Sequence, residues 1–168
     1  MSSSVDPSTK LDRIDLRILS TLQRKGRITN VQLADAVGLS ASPCLSRVKR
    51  LEKVGYISGY GARLQLSMLG DVQLVFAEVT LSGHRLADRA KFEASTRLVE
   101  EIAECHLVSG DYDYLLKFVV KDIGHYQEVI ERLLDRNLGI EKYFSYIVIR
   151  SPFVKHGVPL DKLLTDDD

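Results

Sequence analysis

The sequence is poor in cysteine, proline and tryptophan: its 168 residues include two cysteines, four prolines and no tryptophan. Cys44 and Cys105 lie far apart and form no C-x-x-C pair, which argues against a disulfide framework or a structural zinc site. No apolar run reaches about eighteen residues, so the sequence predicts no membrane-spanning helix. The polar N-terminus, MSSSVDPSTK, lacks the apolar core of a signal peptide, and we expect a cytoplasmic protein.

Groups that could carry out catalysis are also scarce. The four histidines share no spacing typical of a metal site: His84, His106, His125 and His156. Neither cysteine lies in a pattern typical of a catalytic nucleophile and its base. An enzyme is therefore disfavoured, and we expect no catalytic residue, no metal and no cofactor.

The net charge of zero hides an asymmetry along the chain. Residues 10–63 hold eleven Lys and Arg against four Asp and Glu, a net charge of +7. Residues 64–168 hold twelve against eighteen, a net charge of −6. A basic half joined to an acidic half predicts that only the first half meets a polyanion.

The segment from Thr29 to Gly55 has the pattern of two short helices separated at Gly38. Ser40 is placed to cap the second helix by accepting a backbone N–H bond. Apolar residues at helical spacing predict an inward face on each helix: Leu33, Ala34 and Val37 on the first, Leu45, Val48 and Leu51 on the second. Together with a helix predicted from Leu11 to about Lys25, they predict a helix-turn-helix unit, the arrangement that enters the major groove of double-stranded DNA.

The DNA-contacting candidates cluster around the second of these helices. Arginine can donate two hydrogen bonds to O6 and N7 of guanine, and either arginine or lysine can neutralise a phosphate. A charged helix face is nevertheless more often a solvated surface. Serines and a proline lie near the same face, and two further candidates precede or begin the first of the two helices, where backbone N–H groups favour a phosphate. The full set is Arg27, Asn30, Ser40, Ser42, Pro43, Ser46, Arg47, Lys49 and Arg50.

The second half of the chain repeats an order of strands and helices. Strands are predicted at 70–81, 104–110, 112–120 and 142–150, with helices between the first two and between the last two. The order β-α-β-β-α-β predicts an α+β fold of the ferredoxin-like sandwich type. Because the strands are apolar at nearly every position, we expect a second subunit to cover the open face of the sheet.

These patterns predict five segments along the chain. They are a disordered N-terminus (1–9), a winged helix-turn-helix domain (10–61) whose wing is a hairpin within 56–66, a linker strand (62–69), a ferredoxin-like ligand-binding and dimerisation domain (70–155), and a C-terminal tail (156–168). Disorder is also expected at Asp166–Asp168.

The turn at Gly110–Asp113 joins two of the predicted strands and is open to two interpretations. Two carboxylates, Asp111 and Asp113, beside a glycine can receive an ammonium group, while backbone N–H groups there can bind a carboxylate. A Gly-Asp pair is also ordinary turn chemistry. The residues by themselves leave both interpretations open.

Two stretches of the sequence resemble the leucine-responsive/asparagine-regulator (Lrp/AsnC) family of prokaryotic transcription factors. The first is LDRIDLRILSTLQRKGRITNVQLADAVGLSASPCLSRVKRLEKVGYISGY, which is similar to the winged helix-turn-helix of that family. The second is ECHLVSGDYDYLLK, which is similar to strands of its effector domain. The resemblance covers roughly residues 11–151.

The resemblance implies a bacterial or archaeal regulator that forms homodimers and often octamers, and that binds an amino-acid effector, leucine or a related one, between subunits. It implies an effector site at the turn formed by Gly110, Asp111, Tyr112 and Asp113. Ile123 and Tyr146 match positions close to the effector, and His106 lies on the strand leading to the turn. These last three residues are otherwise explained as packing.

Two alternatives to an effector-controlled, sequence-specific regulator stay open at this point. A nucleoid-type architectural protein would use the same basic helix, bind DNA with little sequence preference and respond little to small molecules. An enzyme built on the ferredoxin-like domain would need a nucleophile, a base or a metal cluster, and the sequence offers none of these patterns.

Overall fold

The computed structural model describes residues 10–164, apart from the side chains of Ser67, Asp161 and Leu164. The predicted disorder at 1–9 and at Asp166–Asp168 lies outside the described residues. The chain forms two compact units. The first contains the described residues up to Arg63 together with those from Phe153 onward, and the second is Leu64–Pro152. The segment from Phe153 therefore groups with the first unit, whereas the sequence placed its first residues in the second domain and the rest in a separate tail.

Three helices build the N-terminal part of the first unit: α1 (Arg13–Arg24), α2 (Asn30–Val37) and α3 (Ala41–Val54). Asp12 and Asp15 form a capping box at the start of α1, and Thr29 and Gln32 form one at the start of α2. Gly38 ends α2 in the left-handed conformation with φ of 75°, which an L side chain rarely adopts. The predicted helix-turn-helix is confirmed.

Two details of α3 differ from the sequence prediction. Ser40 is the N-cap residue, but its side chain makes no capping hydrogen bond. Leu45 does not face inward, since 42% of it is exposed. The buried residues of α3 are Cys44, Val48 and Leu51, whose spacing of four and three keeps them on one helical face. The core of the unit joins them to α1 and α2: Ile18, Leu33, Ala34 and Val37.

The predicted wing hairpin and linker strand are wrong in their secondary structure. Residues 57–65 carry no strand, and Leu66–Met68 is a turn of 3₁₀ helix. A hairpin needs two segments that bond to each other, and Gly59 and Gly61 offer no side chains to pack across such a pair. Tyr60 instead turns back to α3, where its hydroxyl donates to Glu52 at 2.7 Å.

The C-terminal segment of the first unit ends in a short helix, α6 (Leu160–Leu164). Gln23 of α1 holds this segment through both ends of its side-chain amide. Its Nε2 donates to the carbonyl of Val158 at 2.8 Å, and its Oε1 accepts from the N–H of Val158 at 3.0 Å. These two bonds give one reason why the segment belongs with α1.

The second unit has the predicted β-α-β-β-α-β order. Its elements are β1 (Gln73–Leu81), α4 (Leu86–Thr96), β2 (Ile102–Leu107), β3 (Tyr114–Val120), α5 (Ile123–Leu134) and β4 (Ile140–Ile147). The four strands form one antiparallel sheet in the order β2-β3-β1-β4. This is the ferredoxin-like topology, and that prediction is confirmed.

The two helices of this unit cover one face of the sheet. Alternate residues of β1 and β3 are buried beneath α4 and α5, among them Val79, Leu116 and Phe118. The opposite face, called here the open face, carries Leu74, Phe76, Glu78, Thr80, Glu104, His106, Leu115, Lys117, Val119, Phe144 and Tyr146 by register. In a single chain this face is only partly covered, and β2 and β4 are exposed along most of their length.

No helix within residues 10–164 is both long enough and apolar enough to cross a membrane.

Candidate DNA interface and effector site

The recognition helix α3 presents one stripe of residues to solvent. Ser42, Leu45, Ser46, Lys49 and Lys53 are all exposed. They follow one another at intervals of one, three or four residues, which keeps them on one side of the helix. This set is called the exposed stripe below. It combines hydroxyls, one leucine and two cations, and Lys49 and Lys53 form no ion pair with any described residue.

The two arginines of α3 point towards α1 and not along the stripe. Arg47 contacts Asp12 at 2.5 Å and Asp15 at 2.9 Å, and Arg50 contacts Asp15 at 2.5 Å. The side chain of Asp15 is 1% exposed, whereas those of Arg47 and Arg50 are 30% and 38% exposed. Both guanidinium groups thus bond the carboxylate of Asp15. Asp12, Asp15, Arg47 and Arg50 together are called the Asp15 cluster.

Electrostatics at the start of α1 favour the charged forms of Asp12 and Arg47. Hydrogen bonds from Arg47 to Asp12 and Asp15 raise the pKa of the Arg47 guanidinium. Burial alone would raise the pKa of Asp12, but bonds from the backbone of Asp15 and from Arg47 outweigh it and lower that pKa. A buried carboxylate without such partners would be costly, so the arginines are needed where they lie.

The remaining DNA candidates lie at or near the starts of α2 and α3. Ser40 and Pro43 are exposed at the start of α3, and Arg27 is exposed just before α2. The side-chain amide of Asn30 donates through Nδ2 to the carbonyl of Ala41 at 2.8 Å, which ties the first turns of α2 and α3 together. Asn30 Oδ1 is buried without a hydrogen-bond partner among the described residues.

The predicted effector turn, Gly110–Asp113, joins β2 to β3 and is anchored by Asp113. One oxygen of that carboxylate accepts the N–H of Leu81 at 2.8 Å, and the other lies 3.4 Å from Nδ1 of His84. The side chain of Asp113 is only 15% exposed. Asp111 is exposed at the tip of the turn, so it is the carboxylate of the pair that faces solvent.

Two more predicted effector residues lie on the open face. The hydroxyl of Tyr146 donates to Glu78 at 3.0 Å, and this bond to a carboxylate raises the pKa of the phenol. Electrostatic interaction with Tyr112 raises it further. His106 lies opposite Leu115, with its Nε2 3.2 Å from Glu104.

Ile123 is separated from the turn within one chain. It begins α5, beyond the end of β3, whereas the turn precedes the start of β3. Seven residues of strand lie between them, a length of about 20 Å. The structure therefore places the Gly110–Asp113 turn before one end of β3 and Ile123 beyond the other end, with Tyr146 on the open face opposite Phe76.

The structure also adds residues that the sequence interpretation missed. Glu78 and His84 contact predicted effector residues, and Asp12 and Asp15 bind the arginines of α3. A signal for the last pair was present, because two of the four acidic residues of the basic half stand together where α1 begins. No local pattern marks Glu78 or His84, since strand register and loop path decide what they meet.

A helix-turn-helix with an exposed, polar recognition helix, joined to a separate sheet domain, defines the class of DNA-binding regulators that carry a ligand-binding domain. Residues 11–58 match the family model of a winged helix-turn-helix DNA-binding domain, and residues 74–158 match that of the Lrp/AsnC ligand binding domain. The chain belongs to the Lrp/AsnC family of transcriptional regulators.

Relatives and solved structures agree with this assignment. The chain is 47% identical to the transcriptional regulatory protein DoeX of Halomonas elongata over 84% of this chain and 90% of the relative. It is 46% identical to the leucine-responsive regulatory protein of Salmonella typhimurium over 89% of this chain and 91% of that relative. The structure of a transcriptional regulator of Neisseria meningitidis, solved as an L-Met complex, is 33% identical in sequence and has a TM-score of 0.82. The match covers 92% of this chain and 99% of that one.

These relatives are transcriptional regulators and not enzymes, so the expectation that this chain is a DNA-binding regulator without enzymatic activity is confirmed.

Proposed function

We propose that this regulator acts as a homodimer, or as an octamer of four dimers, and binds specific DNA sequences under the control of an amino acid held between its subunits. We place it in the bacterial cytoplasm, on the nucleoid. One observation carries the proposal: in a single chain the candidate effector residues are divided between the two ends of β3.

A second copy would complete the site. In a two-fold dimer the same surface meets itself, so residue i contacts the partner's j and the reverse. If the axis lies across the strands, it brings the Gly110–Asp113 turn of one copy to the Ile123 end of the other. The open face offers apolar area for this contact, including Phe76, Leu115 and Phe144.

The chemistry of the turn fits an amino acid. Asp111 supplies an exposed carboxylate for an α-ammonium group, and the N–H groups of a glycine turn suit a carboxylate. Leucine or a related amino acid is the effector we propose. A relative named for its response to leucine and a solved L-Met complex support that choice of ligand class.

A thermal-shift screen of the purified full chain against the twenty amino acids tests the effector site. A ligand that binds only the folded protein, present at about 100 times its Kd, stabilises it by about 2.7 kcal/mol. We expect a rise in Tm for leucine or its chemical relatives. No rise with any amino acid would favour an architectural DNA-binding protein with little effector response.

The variant Asp111→Asn locates the site within that screen. It removes the charge while keeping the size of the side chain, and an exposed turn position acts on the ligand more than on the fold. We expect the ligand-dependent rise in Tm to disappear. Glu128→Gln, an equal charge change at an exposed position of α5, should keep the rise in full.

For DNA we propose that the exposed stripe enters the major groove. Ser42, Ser46 and Lys49 would contact bases or phosphates, and Arg27, Asn30, Ser40 and Pro43 would lie along the backbone of the duplex. Arg47 and Arg50 would reach phosphates with the part of each guanidinium that the Asp15 cluster leaves exposed.

Salt-dependent binding of Lys49→Ala tests this interface. Loss of one phosphate contact should weaken binding on all sequences and reduce the slope of log K against log salt by about 1. Loss of a base contact should instead relax the preference at one base pair. Lys121→Ala, at an exposed position in the second unit, is the matched control and should change neither quantity.

A further inference from the structure

Leu45 is the apolar member of the exposed stripe, and it is not part of the core cluster of the first unit. Its neighbour Cys44 is fully buried, and Val48 and Leu51 complete the inward face. Leu45 therefore contributes little to the core despite being one of the larger apolar side chains of α3. Single exposed leucines are common on protein surfaces, so exposure alone assigns no role and its position must carry the argument.

The position of Leu45 is central in the stripe. It stands three residues after Ser42, next to Ser46 and four residues before Lys49, and all three are exposed. Residues in the N-terminal part of a recognition helix are those that approach base edges in the major groove. Leu45 falls in that part, as the fifth of the fourteen residues of α3.

The Asp15 cluster turns this side of the helix outward. Successive residues are about 100° apart around a helix, so Arg47 and Arg50 lie about 200° and 140° from Leu45. Both arginines are bonded to carboxylates of α1. When those bonds form, Leu45 necessarily faces away from α1.

A leucine side chain has no hydrogen-bonding group, which restricts what it recognises on DNA. The major-groove edges of adenine, guanine and cytosine present donors and acceptors, and only thymine presents a methyl group. We propose that Leu45 is a specificity-determining residue that packs against the C5 methyl group of a thymine in the recognised site. This inference rests on the proposed insertion of α3 into the major groove.

Replacement of thymine by deoxyuridine tests the contact directly, because it removes one methyl group and leaves base pairing intact. A duplex is first selected in vitro with the full-length wild-type protein, and each thymine is then replaced singly. We expect one thymine in each half-site at which replacement weakens wild-type binding about fourfold, the effect of about 0.8 kcal/mol for one buried carbon.

The variant Leu45→Ala completes a cycle with this substitution. Because both subunits of the dimer carry the change, it should bind the selected thymine duplex about as weakly as the wild type binds a duplex with uracil in both half-sites, about sixteenfold below the wild type on the parent duplex. It should not distinguish thymine from uracil at these positions. Leu86→Ala removes an exposed leucine of the second unit and should retain wild-type affinity and the fourfold preference. Lys49→Ala should bind more weakly yet keep the preference for the methyl group.

The outcomes separate this inference from the function on which it rests. If selection enriches no sequence, sequence-specific binding fails and the inference fails with it. If a sequence is enriched and every uracil duplex is bound as tightly as its parent, only the role of Leu45 is overturned. Equal sensitivity of Leu45→Ala and the wild type to uracil would overturn it as well.

Discussion

Asp15 links two helices through a single side chain. It lies in the first turn of α1, where it accepts the N–H of Asp12 as part of the capping box. Its carboxylate is also bonded by Arg47 and Arg50 of α3. One buried charge thus helps to begin one helix and to set the rotation of another, which explains its presence beside an otherwise apolar core.

We predict that Asp15→Asn lowers the free energy of unfolding by about 2–3 kcal/mol. The amide has nearly the same size, but it leaves Arg50 without an anion and Arg47 with Asp12 alone. Removing one partner of a buried ion pair is strongly destabilising. The arginines keep some contact with water, which holds the loss below that of a fully buried pair. Urea denaturation of the full chain measures the change.

Asp35→Asn is the matched control for this prediction. Asp35 is exposed on α2, and no ion pair of this side chain occurs among the described residues. Its replacement should change the free energy of unfolding by less than about 0.5 kcal/mol. Equal effects at the two positions would contradict the role assigned to the Asp15 cluster.

At the scale of elements, the start of α1 should make stability depend on pH. The pKa of Asp12 is lowered in the folded chain, since bonds from Asp15 and Arg47 outweigh burial. A carboxyl with a lowered folded pKa stabilises the protein above its unfolded pKa of 3.8 and loses that contribution as pH falls through the folded value. Stability should therefore decline below about pH 4.

Asp12→Asn should remove part of that decline. Thermal unfolding measured from about pH 6 to about pH 3 compares the two proteins. We expect the variant to be less stable at the upper end and to lose less stability on acidification. Parallel curves for variant and wild type would show that Asp12 does not contribute to the acid sensitivity. That sensitivity would then arise from other carboxylates, such as Glu101 and Glu104, whose pKa values are also lowered.

The turn between α2 and α3 depends on the backbone of Gly38. A Cβ there would meet no atom within 4 Å, so the φ of 75° is the only obstacle to a larger residue. Gly38→Ala should cost about 1–2 kcal/mol of stability, the penalty of an L residue in the left-handed region. Gly59→Ala, equally open but without a left-handed φ, should be neutral or slightly stabilising in the same denaturation experiment.

At the scale of the whole molecule, the open face is the surface that a second copy would cover. Phe144 is exposed near the middle of β4, opposite Glu78. Phe144→Lys should convert dimers to monomers in sedimentation experiments, because it places a charge in a surface that association would bury. The monomer itself should stay folded, since the lysine gains Glu78 as a cross-strand partner.

Phe153→Lys is the control for the dimer prediction. Phe153 is also exposed, but it lies outside the sheet, on the segment that belongs to the first unit. The Phe153→Lys protein should therefore sediment as the wild type does. A Phe144→Lys protein that remains dimeric would show that the open face is not the subunit interface, and the site between subunits would then lose its main support.

The sequence by itself determined the elements whose causes are local. Helical spacing of apolar residues and the break at Gly38 predicted α1, α2 and α3, and apolar runs bounded by turn residues predicted the β-α-β-β-α-β order, because these signals depend on neighbours within a few residues. The wing was the exception. Tyr60 and its flanking glycines suggested a hairpin, but the hydroxyl of Tyr60 bonds to Glu52 on α3, a contact that no local pattern reveals.

Tertiary structure decided which side chains are available to a ligand. Sequence placed Arg47 and Arg50 on a basic helix, but only the approach of α1 shows that Asp15 binds them and that Ser42, Leu45 and Lys49 face solvent. Likewise, only strand register and the path of the loop direct Asp113 inward to Leu81 and leave Asp111 exposed. The periods of helices and strands determine which residues share a face. What that face packs against is decided by segments that are distant in sequence.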